Sequence, residues 1–151
     1  MNGRTSERTP AVVAWLGYGG LIPFVGLALA GGVLRTGAVT QAMIAYGAVI
    51  LSFVGALHWA FAMTVPDFGD GGRRHLYIWS VVPALLAWVC LLLPPRPACL
   101  CLVVGFLLHY GWDRRLPFLA RLPAWYLPLR LRLTAIACLC LLSNAIWIGL
   151  T

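Results

Sequence analysis

Five apolar runs, separated by proline, glycine and arginine, constrain this chain more than any other feature. They are Ala11–Leu34, Ala38–Met63, Leu76–Leu93, Ala98–Trp112 and Leu131–Leu150. A helix needs about 20 mostly apolar residues to cross the hydrocarbon core of a bilayer. All five runs qualify, although the fourth is short, about 22 Å by helical rise. It spans with Trp112 at the interface or where the bilayer is locally thin. Pro94, Pro95 and Pro97 separate the third run from the fourth, because proline lacks the N–H that a continuing helix needs. The composition, 62% hydrophobic, lies well above the roughly 45–50% of soluble domains. The connectors are too short to bury a core of their own. The expected fold is therefore all-α: one membrane domain over residues 1–151 with five transmembrane helices.

The charges orient it. The net charge of +7 comes from eleven arginines, with no lysine, against four acidic residues. With five spans, Arg4, Arg8, Arg73, Arg74, Arg114, Arg115, Arg121, Arg130 and Arg132 fall on one side and only Arg35 and Arg96 on the other. Basic residues near span ends are retained in the cytoplasm, so the N-terminus is expected inside. The arginines flank apolar runs and do not stripe a polar face, which excludes nucleic acid as a partner. Arg4 and Arg8 before an apolar run, with Ala28–Ala30 beyond it, imitate a secretory signal. The length of that run, and Gly17, Gly19, Gly20 and Pro23 within it, fit a retained and closely packed span better. A composition rich in Ala, Gly, Leu and Arg and free of Lys suits a GC-rich bacterial genome, and hence a bacterial inner (plasma) membrane.

Trp15, Tyr18, Trp59, Tyr77, Trp79, Tyr110, Trp112, Trp125 and Tyr126 cluster towards the expected cytoplasmic ends, where amphipathic rings prefer to sit. The apolar stretch Leu116–Leu129 contains three prolines and is expected to lie along that interface. Asp67–His75, rich in glycine, reads as a flexible loop. With no strand before them, its glycines form no phosphate-binding motif.

The cysteines form two C-x-C pairs, Cys99 with Cys101 and Cys138 with Cys140, plus Cys90. Residues two apart on a helix point roughly 200° away from each other, so neither pair can converge on one ion. These are read as small buried hydrophobes, and no metal site is assigned. His58 and His109 are a better candidate pair. Both lie near the cytoplasmic ends of inward-running spans, in the similar settings LHWAF and LHYGW. Together with Tyr18–Pro23 and Trp79–Pro83 in the preceding spans, they suggest a duplicated hairpin. Either the two imidazoles hold one b-type haem, or each donates a hydrogen bond to a carbonyl freed by proline. Asp113 reads as paired with Arg114 at a helix end. No serine sits in a nucleophile elbow, and no catalytic residue is assigned.

The blocks LGYGGLIPFVGLALA, YGAVILSFVGALHWAFA, YIWSVVPALLAW, GFLLHYGWDRR and PAWYLPLRLRLT occur in that order from Leu16 to Thr134. Together they resemble the bacterial membrane family known as domain of unknown function 3429, itself similar to the mitochondrial transmembrane protein 69. The resemblance covers nearly the whole chain. It implies a multi-helix membrane protein and no defined activity, and it implies that glutamine can replace His109.

The reading is a multi-pass, non-enzymatic protein that binds a lipid or quinone or helps assemble a membrane complex. The alternative is a redox protein with one haem b between His58 and His109. The candidate ligand-binding residues are Tyr18, His58, Trp59, Tyr77, Trp79, Ser80, His109, Tyr110, Asp113 and Arg130. The expected partners are membrane lipids, with a quinone or a membrane protein complex beside them.

Overall fold

The computed structural model describes residues 9–64, 70–116 and 122–149. They form an all-α bundle: α1 (Ala11–Gly19), α2 (Ile22–Leu34), α3 (Gly37–Thr64), α4 (Asp70–Leu92), α5 (Pro95–Asp113) and α6 (Tyr126–Gly149). Four helical stretches are long and apolar enough to cross a membrane: Ala11–Leu34, Gly37–Thr64, Gly71–Leu92 and Tyr126–Gly149. α5 is 19 residues long, about 28 Å by helical rise, but polar residues at its ends (Arg96, His109, Asp113) dilute its apolar character. The surface carries large apolar side chains that water would not tolerate in such density, among them Trp15, Val33, Phe53, Leu85, Trp88 and Leu139. This is the outside of a multi-pass membrane protein.

The first apolar run is not one helix. Pro23 has no N–H for the carbonyl of Gly19, and its ring crowds that carbonyl. The chain therefore breaks at Gly20–Leu21, and Pro23 becomes an early residue of α2, where its missing donor is harmless. The Tyr46 hydroxyl donates to the exposed carbonyl of Gly20 at 2.7 Å. Pro83, its supposed counterpart, sits inside an unbroken α4. The two halves of the suggested duplication thus differ at one of the features that relate them, the proline of the first helix of each hairpin. The most extensive packing is also between α3 and α4 and between α5 and α6, not within the hairpins that a repeat would pair.

Two connectors differ from expectation. Residues Asp70–His75 belong to α4, and the rest of the expected loop, 67–69, lies outside the described residues. Tyr126–Leu129 form the first turn of α6, so the last helix starts before the expected run at Leu131. Pro128 is tolerated there because the first turn has no intrahelical acceptors for its N–H groups. Residues 117–121, with Arg121, lie outside the described residues.

Phe24, Met43, Ile44, Leu51, Leu102 and Leu141 are fully buried where α2, α3, α5 and α6 meet. The cysteines are free; Cys90 and Cys99 are fully buried, and Cys138 and Cys140 nearly so. Two glycines set the spacing of the helices. A methyl group on Gly55 would stand 2.9 Å from the Pro83 ring and 3.1 Å from the Ser80 carbonyl. One on Gly105 would meet Leu51 at 2.8 Å and Leu86 at 2.9 Å. Small residues let membrane helices approach closely. Here they draw α3, α4 and α5 together one turn before His58 and His109.

Candidate functional site

The close approach of α3 and α5 puts the two histidine rings edge to face, with centroids 4.8 Å apart. His109 and Asp113 are four residues apart on α5 and share one helix face. α6 closes the site with Arg130. The Arg130 Nε–H donates to Asp113 Oδ2 at 2.9 Å. The other carboxylate oxygen, Oδ1, stands 3.3 Å from His58 Nε2 and 3.9 Å from His109 Nε2, without hydrogen-bond alignment to either. His109 Nε2–H donates instead to the Val54 carbonyl at 3.1 Å. The donor must be Nε2, because a carbonyl only accepts, so Nδ1 of a neutral His109 carries the lone pair.

His58 and Asp113 are fully buried, His109 is 1% exposed and Arg130 7%. A carboxylate taken wholly out of water needs a charged or hydrogen-bonded partner. Arg130 supplies one for Oδ2. In and around the cluster, buried polar atoms remain with no hydrogen bond among the described residues: Asp113 Oδ1, both ring nitrogens of His58, His109 Nδ1, Trp79 Nε1 and the Tyr126 hydroxyl. Native interiors leave few such atoms unpaired, and each calls for an explanation. Aromatic rings wall the cluster. Trp79 stacks parallel to His109 at 6.4 Å and on Trp112 at 4.5 Å, while Phe61 lies 5.9 Å from His58 and 6.1 Å from Tyr126.

The structure re-pairs the charges expected from sequence. Asp113 is bound to Arg130, not Arg114, because adjacent helical residues point about 100° apart. With Asp113 buried, Arg114 turns outward. The carbonyl that accepts from His109 belongs to Val54 of α3, with no proline nearby in the chain to free it. Other candidates stand apart from the cluster. Trp59 and Tyr77 pair with each other at 4.9 Å, with Trp59 half exposed. Tyr18 is exposed, and its hydroxyl accepts from Arg132 at 3.4 Å. Ser80 is buried but donates to the carbonyl of Tyr77 on its own helix. Tyr110 is half-buried on α5.

Sequence reasoning missed Val54, Phe61, Trp112 and Tyr126 as neighbours of this site. The i, i+4 spacing of His109 and Asp113 was the available signal for their pairing. It also missed the donor set as such. His58, His109 and Asp113 each offer a metal-competent atom, all within 4.8 Å of one another.

A cavity of about 560 Å³ opens beside the cluster, between α1–α2, α3, α5 and α6. Its walls are apolar, with Leu16, Leu21, Phe24, Leu57, Phe106 and Leu133 among them, and Tyr126, Arg130 and Val54 also line it. The cavity therefore meets the polar cluster at Arg130.

An apolar bundle with a buried His–Asp–Arg centre defines the class: a multi-pass membrane protein with an ionisable site inside it. The family model described as "Protein of unknown function (DUF3429)" matches residues 9–146, and the chain belongs to that family. It is also 36% identical over 146 residues to "Transmembrane protein 69" of Xenopus tropicalis, covering 91% of this chain and 54% of that protein. The chain thus spans about half the length of this relative. No solved structure matches the chain.

Proposed function

We propose that this protein sits in a bacterial inner membrane with five spans, its N-terminus cytoplasmic and α5 the fourth span. We propose further that it binds an isoprenoid or acyl-chain lipid, such as a quinone, without transforming it. The cavity carries this reading. An apolar pocket of about 560 Å³ suits a hydrocarbon chain or ring, and the buried Arg130 and half-buried Tyr126 on its wall suit the oxygen atoms of a head group. Intramembrane ionisable residues of this kind mark ligand or ion sites. The nine-to-two distribution of arginines supports the orientation.

The haem alternative is weaker. Two imidazoles whose centroids are 4.8 Å apart, in direct edge contact, leave no gap for a porphyrin between them. Such a cofactor would require α3 and α5 to separate at the contact between the two rings.

The test is mass spectrometry of lipids that copurify with the full chain in mild detergent. Leu57 lines the cavity, and Leu57→Trp fills it from one wall. The expected result is one enriched lipid species, reduced severalfold in Leu57→Trp while helical content is kept. A lipid profile identical to bulk membrane in both proteins would end the reading.

A further inference from the structure

Independently of any lipid, we infer that His58, His109 and Asp113 form a site for one divalent first-row transition-metal ion, with zinc its closest chemical match. Two neutral imidazoles and one carboxylate are a borderline donor set, suited to zinc and its neighbours and not to the hard, all-oxygen demands of calcium or magnesium. Two ligand atoms, each about 2.0–2.1 Å from a tetrahedral ion, stand roughly 3.3 Å apart. His58 Nε2 is 3.3 Å from Asp113 Oδ1, and His109 Nε2 is 3.9 Å from it. The three atoms lie within 4.8 Å of one another, so the widest pair must close by up to about 1.5 Å, which rotation of the imidazoles supplies.

The unpaired atoms are the second line of support. Asp113 Oδ1 and His58 Nε2 are buried, face each other and have no hydrogen bond among the described residues. An ion between them satisfies both. Asp113 Oδ2 remains on the Arg130 Nε–H, and a ligating carboxylate held by such a partner is fixed in orientation. His109 gives up its bond to Val54 and moves its proton to Nδ1, whose N–H then needs an acceptor, since Nδ1 has no partner among the described residues. The Val54 carbonyl keeps its acceptor role within α3. Three protein donors leave a fourth position for water, which as hydroxide would offset charge brought by the ion.

The test uses the full chain without a histidine tag, purified in mild detergent, stripped with a chelator and titrated with Co²⁺. One Co²⁺ per chain is expected, with a visible d–d band, no thiolate-to-cobalt charge transfer, and displacement by Zn²⁺. His58→Gln and His109→Gln should each weaken binding by about tenfold or more, whereas His75→Ala, at an exposed residue outside the cluster, should not. Glutamine at 109 can still donate to Val54, which separates ligation from folding. If a variant is not monodisperse, pulsed EPR of the Cu²⁺-loaded wild type decides, with two coupled imidazoles expected. Binding well below one equivalent, binding unchanged in both glutamine variants, a thiolate signature, or fewer than two imidazoles would overturn the inference.

Discussion

The bundle has two buried polar regions at opposite ends of α3, about 27 Å apart by helical rise between Thr40 and His58, and they are built differently. At one end, Asn144 is 2% exposed. It accepts from the Thr40 hydroxyl at 3.5 Å and donates to Cys99 Sγ at 3.6 Å. Nearby, Arg35 adopts a left-handed conformation (φ 46°), ends α2 and places its guanidinium 4.9 Å above Trp147. Every group there is neutral or reaches a surface cavity of about 170 Å³ lined by Arg35, Thr40 and Asn144. At the other end, His58, His109, Asp113 and Arg130 bring formal charge into the interior and leave lone pairs unused. The first arrangement needs nothing more than its own side chains. The second is paired at Asp113 Oδ2 and, among the described residues, unpaired at Oδ1, and the proposed site rests on that difference.

The largest effect should come from dividing the charged pair. Arg130→Met leaves the Asp113 carboxylate buried and alone, a loss of about 3–5 kcal/mol. Thermal unfolding in detergent would register it, together with reduced accumulation in the membrane. The double change Asp113→Leu with Arg130→Met should recover most of that loss, since replacing both members of a buried pair with apolar groups is often neutral. If the double variant is as unstable as the single one, the pair is structural scaffolding and the contrast between the two ends fails.

Next comes Gly55→Ala. The added methyl group meets the Pro83 ring and the Ser80 carbonyl, neither of which can yield, so a cost of about 1–3 kcal/mol is expected. Gly105→Ala should cost less, because the atoms in its way are the ends of the flexible Leu51 and Leu86 side chains. Equal melting temperatures for the two variants would mean that the α3–α4 contact does not set the bundle's spacing.

At the neutral end, Asn144→Ala should cost about 1 kcal/mol. It removes two long hydrogen bonds and leaves Thr40 near a surface cavity where water can replace the lost partner. The same melting experiment measures it, and a loss as large as that of Arg130→Met would erase the distinction. The smallest change is expected for His75→Ala. Among the described residues this exposed side chain bonds to Gly71 on its own helix, so the variant's stability should stay within about 0.5 kcal/mol of wild type.

Much of the fold was legible in the chain because its signals are local. Apolar runs of spanning length mark α3, α4 and α6, and Pro94, Pro95 and Pro97 mark the start of α5. The break between α1 and α2 was harder to read. Glycine and proline inside a long apolar run allow either a kink or a division, and the Tyr46 hydroxyl on Gly20 is a partner 26 residues away. The start of α6 was placed too late, because prolines read as helix breakers are tolerated in a first turn.

The site was legible only as a set of residue types. The sequence by itself determined that this is a membrane protein of several helices with His58, His109, Asp113 and Arg130 near one end of them, since hydropathy and charge depend on composition along the chain. Only the tertiary structure decided that these four meet, that Asp113 chooses Arg130 over Arg114, and that Tyr18, Trp59 and Tyr77 stay outside. Each of those outcomes depends on how the helices rotate about their axes and how closely they approach. That rotation and spacing follow from packing between distant residues, above all Gly55 against Pro83 and Gly105 between Leu51 and Leu86.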